Sequence, residues 1–390
     1  MNAPTENVNV NLHPNVTVSA RASAANRRIE RTLNGVVRGY DALMGKLGLG
    51  GRKAPYDDHA YEFVGGARDE LRAKHYDKSL RLLWKAEREM PWSTFHDCSA
   101  EEQTLMQLAD DALNAAERAQ MQRIGSAEYK ALLDRSYTRE EKEAIVQVLS
   151  AIGHGEAYAW LVSTEVLMNV KSTGAKAALT MQVLEEAKHF VVLRELLRAF
   201  DVPVPRQSVW EYLLLEQVYK ARGLEKLFGM NVLVEGIALS LFGMLGDRPG
   251  LEVLGLFHLD ESRHTALPIN YLKEFPLTRW QSRNPLSRVH RLSLVLPTLP
   301  LVFLLEEPLA RLGIDSFALG GSVLRKVGYL AERAGFDLAI DAHQLASSVN
   351  WVFNAYAKRT RAGHVWSDYH LADTTVGSAL KEVEREIFAA

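Results

Sequence analysis

The chain has 390 residues, 47% of them hydrophobic, with 46 basic side chains against 48 acidic ones. A net charge of −2 supplies no global field for nucleic acid. The single cysteine, Cys98, excludes an intrachain disulfide framework, a cysteine–zinc site and a cysteine-held iron–sulfur cluster. Any bound metal must therefore rest on the 12 His and on Asp or Glu.

In chain order, residues 1–25 are polar and Ala-rich without periodicity or an apolar core, which predicts a disordered tail and no secretory signal. A basic helix is expected from Asn26 to Leu47, closing at Gly48–Gly51, and a second over 67–90, stopped by Pro91. Ser99 and Glu102 form a capping-box signature opening a helix toward Arg123. Thr138 and Glu141 repeat it and open the longest run, Arg139 to about Lys171. Further helices are predicted from Gly174 or Lys176 to Phe200, Val209 to Gly223, Leu224 to Leu245 and Leu251 to Phe275. Apolar helical segments continue beyond Asn284 to about Arg361, followed by a tail. The longest apolar stretch, Leu292–Leu305, contains Pro297, Thr298 and Pro300 and is too short and broken to span a membrane. It reads as a buried or interface-facing segment. No strand-period alternation persists and no solenoid repeat is visible, so the fold class is all-α, and a cytoplasmic location is the expectation.

Two short motifs carry the chemistry. Glu185–Glu186–Ala187–Lys188–His189 and Asp260–Glu261–Ser262–Arg263–His264 each hold a Glu-x-x-His preceded by an acid, inside an apolar helical run. Residues three apart share one helix face, so a carboxylate and an imidazole so spaced can close on one metal ion. Two such helices, with one Glu from each of two more, make a two-metal carboxylate site. Glu235 lies in the almost wholly apolar run Met230–Phe242, where a solitary carboxylate needs a metal or a partner. On the run 139–171 there are two candidates, Glu156 and Glu165. Counted from a turn near Ser172–Gly174, the depths of Glu156 and Glu186 agree within about 6 Å, whereas Glu165 misses by about 8 Å. Glu156 is preferred.

In that order, Glu156, Glu186-x-x-His189, Glu235 and Glu261-x-x-His264 resemble the ferritin-like di-iron carboxylate superfamily. Its oxygen-activating branch includes bacterial multicomponent monooxygenases, acyl-carrier-protein desaturases, arylamine N-oxygenases and ribonucleotide reductase small subunits. The resemblance covers about 140–275. It implies a ferritin-like four-helix bundle over 136–276, with accessory helices over 26–135 and accessory helices and a tail over 277–390. It also implies two iron ions, or manganese with iron. Glu156, Glu186 and His189 would hold one ion, and Glu235, Glu261 and His264 the other, with a Glu bridging. Asp260 would orient His189, and Glu185 would orient His264.

Departures from the branch are specific. Leu193 stands where the small subunits carry a radical Tyr, and Leu239 where the monooxygenases carry a Thr. Phe257 stands where the arylamine N-oxygenases carry a third His, with His258 one position off as a candidate extra ligand. The function implied is a dioxygen-activating oxygenase or desaturase acting on a small or carrier-bound acyl, hydrophobic substrate. An external donor such as a ferredoxin or reductase would supply electrons, no nucleic acid is involved, and a homodimer is an option. The expected pocket walls are Trp160, Val192, Leu193, Leu239 and Phe242. The alternatives are a ferritin-like iron-oxidising or peroxide-scavenging protein, and a non-catalytic helical scaffold.

Overall fold

The computed structural model describes residues 20–47, 126–171 and 173–369, together with Arg385 and Ile387. The helix expected over 67–90, the Ser99–Glu102 cap with its helix, and Cys98 lie outside the described residues. Among the described residues every regular element is helical.

Helix α1 (Ala20–Lys46) starts six residues upstream of the expected Asn26, inside the stretch read as a tail. That stretch is Ala-Arg-Ala-Ser-Ala-Ala, and alanine, the best helix former, carries no amphipathic signal of its own. A short helix α2 (Ala127–Ser136), capped by the Ser126 hydroxyl on the Tyr129 N–H, precedes α3 (Arg139–Asn169). The capping box of α3 is formed as expected: Thr138 Oγ1 accepts from the Glu141 N–H at 3.2 Å, and the Thr138 N–H donates to Glu141 Oε2 at 2.8 Å. Helix α4 (Thr173–Ala199) runs back along α3. Asp201, at φ 54°, and the prolines after it then turn the chain into α5 (Val209–Lys220), which has its own capping box from Ser208 and Glu211.

The next rod is α6 (Leu224–Leu227), a π-helical stretch over Phe228–Val234, and α7 (Glu235–Leu245). By length and composition Leu224–Leu245 is apolar enough to cross a membrane, yet 83% of its most apolar window is buried inside the protein. It is the central core helix. Helix α8 (Val253–Glu274) packs along α7 and against α4. The remaining helices are α9 (Arg279–Arg283), α10 (Pro285–Val295), α11 (Thr298–Leu304), α12 (Glu306–Arg311), α13 (Ser316–Ala334) and α14 (Ala342–Thr360). Of these, α13 lies across α7 and α8. The chain beyond Arg361, expected as a tail, returns to the core at Ile387, which is buried and accepts a hydrogen bond from Ser262 Oγ at 2.6 Å.

The α7–α8 turn sets the relative depth of Glu235 and Glu261. Gly250 sits there at φ 81°, and a Cβ would meet Leu133 Cδ2 at 2.7 Å. The turn's carbonyls are held by α2 and its C-cap: the Tyr129 hydroxyl donates to Gly250 O, and the Tyr137 hydroxyl to Pro249 O at 2.7 Å. Gly250→Ala is therefore expected to cost about 1–3 kcal/mol, through left-handed strain and the clash with Leu133. Thermal unfolding checks this; an unchanged midpoint would mean that the turn is not clamped.

Candidate metal centre

Four helices bring six side chains into one buried cluster. Glu156 comes from α3, Glu186 and His189 from α4, Glu235 from the start of α7, and Glu261 and His264 from α8. Their ligand atoms fall into two groups, each spanning no more than 4.8 Å: Glu156, Glu186, His189 and Glu261, and Glu186, Glu235, Glu261 and His264. Glu186 and Glu261 belong to both. All six residues are at most 3% exposed. These buried carboxylate–imidazole groups could hold metal ions.

The two imidazoles are placed alike. His189 Nδ1 lies 3.3 Å from Glu156 Oε2 and 3.1 Å from Glu261 Oε1, and its Nε2–H donates to Asp260 Oδ2 at 2.9 Å. His264 Nδ1 lies 3.1 Å from Glu261 Oε2 and 3.3 Å from Glu186 Oε1, and its Nε2–H donates to Glu185 Oε2 at 2.8 Å. Each ring thus turns Nδ1 toward the cluster and Nε2 toward the acid preceding the other motif's Glu. Such an outer carboxylate fixes the ring and raises its basicity as a ligand. Lys188 Nζ, 2.9 Å from Asp260, and Arg263, which donates to both Glu185 and Asp260, neutralise the outer acids.

Charge inside the metal-free cluster is distributed unevenly. Burial first, then the neighbouring Glu261 carboxylate, pushes Glu186 well above the usual carboxylate range. Burial, then Glu186 and Glu261, does the same to Glu235. Glu261 resists burial and is held low by the His264 charge, with a hydrogen bond from Glu235. Asp260 is also held low despite burial, by the hydrogen bond from His189 and by the charge of Lys188. Burial opposes a charged imidazole, but hydrogen bonds to Asp260 and Glu156 raise His189 well above its ordinary value. The Glu261 and Glu186 charges do so for His264. Protons stand where cations would otherwise balance the charge.

The donor set fits metal on two observations. Glu186 Oε2 is buried without a hydrogen-bond partner among the described residues, which is costly for an acceptor unless a cation takes it. All ligand atoms are carboxylate oxygens or imidazole nitrogens, a set that suits divalent transition metals.

Two supports of the cluster carry no motif. Gln182 donates through Nε2 to Glu235 Oε1 at 3.0 Å and to Glu186 Oε1 at 3.2 Å. Asn231, in the π-helical stretch, donates to Gln182 Oε1 at 2.9 Å and to the His264 carbonyl at 3.1 Å. That carbonyl is available because Pro268, four residues on inside α8, has no N–H to give it. A signal was present in the sequence: Gln182 and Asn231 each lie four residues before a ligand-candidate Glu.

Other expectations fall differently. Glu165 is engaged elsewhere, with Lys226 Nζ at 2.6 Å. His258 belongs to neither group; its Nδ1–H donates to the Leu239 carbonyl at 2.9 Å, and the ring sits over Gly243. Phe257, one residue before it, stacks on the His189 ring at 4.1 Å. His154 is buried with Nδ1 3.0 Å from Glu211 Oε2, apart from the cluster.

Of the expected pocket walls, Trp160 packs on Phe190, Phe242 stands edge-on to His189, and Val192, Leu193 and Leu239 are buried in the core. A cavity of about 150 Å³, lined by other residues, lies on the side where α3 presents Ala151, Gly155 and Ala159, and it reaches Glu156 and Glu235. Small residues at four-residue spacing make that room, whereas the bulk of Trp160 fills its own side. Leu292–Leu305, expected as a buried or interface-facing segment, supplies one wall through Val295, Leu299 and Val302.

Compared with known protein families, curated proteins and solved structures, the chain finds no match in any of the three.

Two predictions follow from the cluster's proton and hydrogen-bond inventory. Metal uptake must expel protons from His189, His264, Glu186 and Glu235, so affinity should rise with pH and fall as pH drops through the raised values of these groups. Calorimetry in buffers of different ionisation enthalpy should read net proton release; none would refute the assigned protonation. Asn231→Leu strands the Gln182 and His264 acceptors and should cost about 1–3 kcal/mol for each one left unpaired. Chemical denaturation measures this, and a stability loss under about 0.5 kcal/mol would contradict it.

Proposed function

We propose that this chain is a di-iron, dioxygen-activating oxidoreductase, an oxygenase or desaturase, acting on a small or acyl hydrophobic substrate. The observation that carries the reading is the membership of Glu186 and Glu261 in both ligand groups. Two ions held a bridging carboxylate apart can act on one reactant together, while two isolated pairs cannot.

Glu156 and His189 would complete one ion's ligands, and Glu235 and His264 the other's. When bound, two ferrous ions supply the electrons that make dioxygen reactive toward a C–H or N–H bond. The chain's own groups prepare that site. Asp260 and Glu185 orient the imidazoles, and Gln182 ties Glu186 to Glu235. Phe257 and Phe242 pack around His189 and keep water from that side. The apolar cavity ends at Glu156 and Glu235, so a substrate within it would lie beside one ligand from each group. This favours an oxidase of organic substrates over an iron-storing protein, which has no use for an apolar cavity at its metal ligands. Electrons would come from an external ferredoxin or reductase.

Loading with ferrous iron under anaerobic conditions, followed by elemental analysis, tests the reading. Two ions per chain are expected. Glu156→Ala and Glu235→Ala should each keep about one ion, whereas Glu186→Ala and Glu261→Ala should each lose both, because these two carboxylates serve both groups. The melting temperature of each metal-free variant is measured alongside, because Glu156 and Glu261 pair with the imidazoles and Glu235 accepts from Gln182. One ion retained by Glu261→Ala would sink the shared arrangement. Absence of reductant-dependent oxygen consumption by the two-iron protein would sink the activity.

A further inference from the structure

The cavity beside the cluster is elongated. Along α13, Ser316, Leu319, Val323 and Val327 face it at helical spacing, and the 12 residues from Ser316 to Val327 span about 16 Å. Val327 marks the end nearest the cluster, because its Cγ2 lies 3.3 Å from where Gly236 would carry a Cβ, next to Glu235. Ser316 marks the far end. Its hydroxyl is 1% exposed and has no hydrogen-bond partner among the described residues. Nor is it needed as a helix cap, since Asp315 Oδ1 already accepts from the Phe317 N–H at 2.9 Å. A buried hydroxyl left unmatched costs about 1–3 kcal/mol, and a ligand oxygen would recover it.

The charges on the lining select further. The ionisable residues on the cavity wall are Glu156, Glu211 and Glu235, with no Lys, Arg or His among them. A carboxylate or phosphate head group would enter without a counter-ion on the lining, at the full cost of desolvating a charge. An apolar body is favoured by the leucine and valine walls. The cavity volume of about 150 Å³ takes at least a six-carbon hydrocarbon, and the run of about 16 Å along α13 leaves room for a somewhat longer extended chain.

We infer that the cavity binds an uncharged, elongated apolar molecule carrying one hydrogen-bonding oxygen, such as an alcohol, aldehyde or ester. That oxygen meets Ser316 Oγ, and the chain runs toward Glu156 and Glu235. Oxidation of the bound chain rests on the two-metal reading above; its binding does not.

The test uses the full-length metal-free protein with octan-1-ol, sodium octanoate and 1-chlorooctane, with binding read by native mass spectrometry and competition titration. One octan-1-ol per chain is expected, with octanoate at least about tenfold weaker. Ser316→Ala should weaken octan-1-ol about three- to tenfold and leave 1-chlorooctane unchanged, because only the alcohol uses the hydroxyl. Val323→Trp should abolish binding of both; Leu324→Phe serves the same purpose if that variant does not fold. Octanoate binding as tightly as the alcohol, equal loss of both neutral ligands in Ser316→Ala, or no binding of any of them would overturn the inference. Alcohol binding by a chain that takes up no iron would leave this inference standing and remove the di-iron reading. A two-iron chain that binds no alcohol would do the reverse.

Discussion

Everything in this structure answers to one constraint: four carboxylates from four helices are buried with two imidazoles in ligand groups no wider than 4.8 Å. Like charges so close cannot all ionise in a medium of low polarity. In the metal-free chain burial and mutual repulsion favour protons on Glu186 and Glu235, and the surrounding carboxylates favour them on His189 and His264, while Glu261 is held low. Two divalent cations would solve the same problem by replacing the protons. The cluster is an unfavourable core but a favourable ligand set, which is the sense in which folding and metal affinity are linked here.

The surroundings are built to hold that arrangement. Asp260 and Glu185 sit outside the imidazoles, and Lys188 and Arg263 sit outside those acids, so charge alternates outward from the centre. On the inner side, Gln182 and Asn231 connect two carboxylates to the backbone of α8 through the carbonyl that Pro268 leaves open. A proline in mid-helix, a π-helical stretch and a buried amide pair would each weaken an ordinary core. Together they position Glu235 and His264 relative to each other. Irregularity here coincides with the candidate site, where strain is expected to be tolerated.

The second organising feature is the contrast between the two sides of the cluster. Around His189 the space is filled by Phe257 and Phe242. Around Glu156 and Glu235 it is left open, because α3 offers small side chains there and α10, α11 and α13 stand off with leucines and valines. One side excludes water and the other admits an apolar guest. The accessory helices after residue 277 are thus part of the site's architecture and not an appendage to it.

The helices from 138 to 275 were legible in the sequence because capping boxes, apolar periodicity and proline stops act locally. The two Glu-x-x-His motifs were legible because three-residue spacing on a helix is geometry that needs no tertiary contact. Glu235 stood out as a lone acid in an apolar run, and Glu156 emerged over Glu165 from antiparallel depth alone. Pairing across helices was less accessible. Nothing local says that Glu186 and Glu261 belong to both groups, that Phe257 rather than His258 meets His189, or that Gln182 spans two carboxylates. The start of α1 at Ala20 and the return of Ile387 to the core were hidden for a related reason, since neither carries an amphipathic pattern. The cavity beside Glu156 and Glu235 was not legible, because a void opens where small side chains of different helices face each other, and that depends on how the helices pack. By itself the sequence determined that a metal, if held, is held by His and carboxylates. Only the tertiary structure decided which of these share an ion, and which side of them stays open, because both depend on distances between helices that no local pattern encodes.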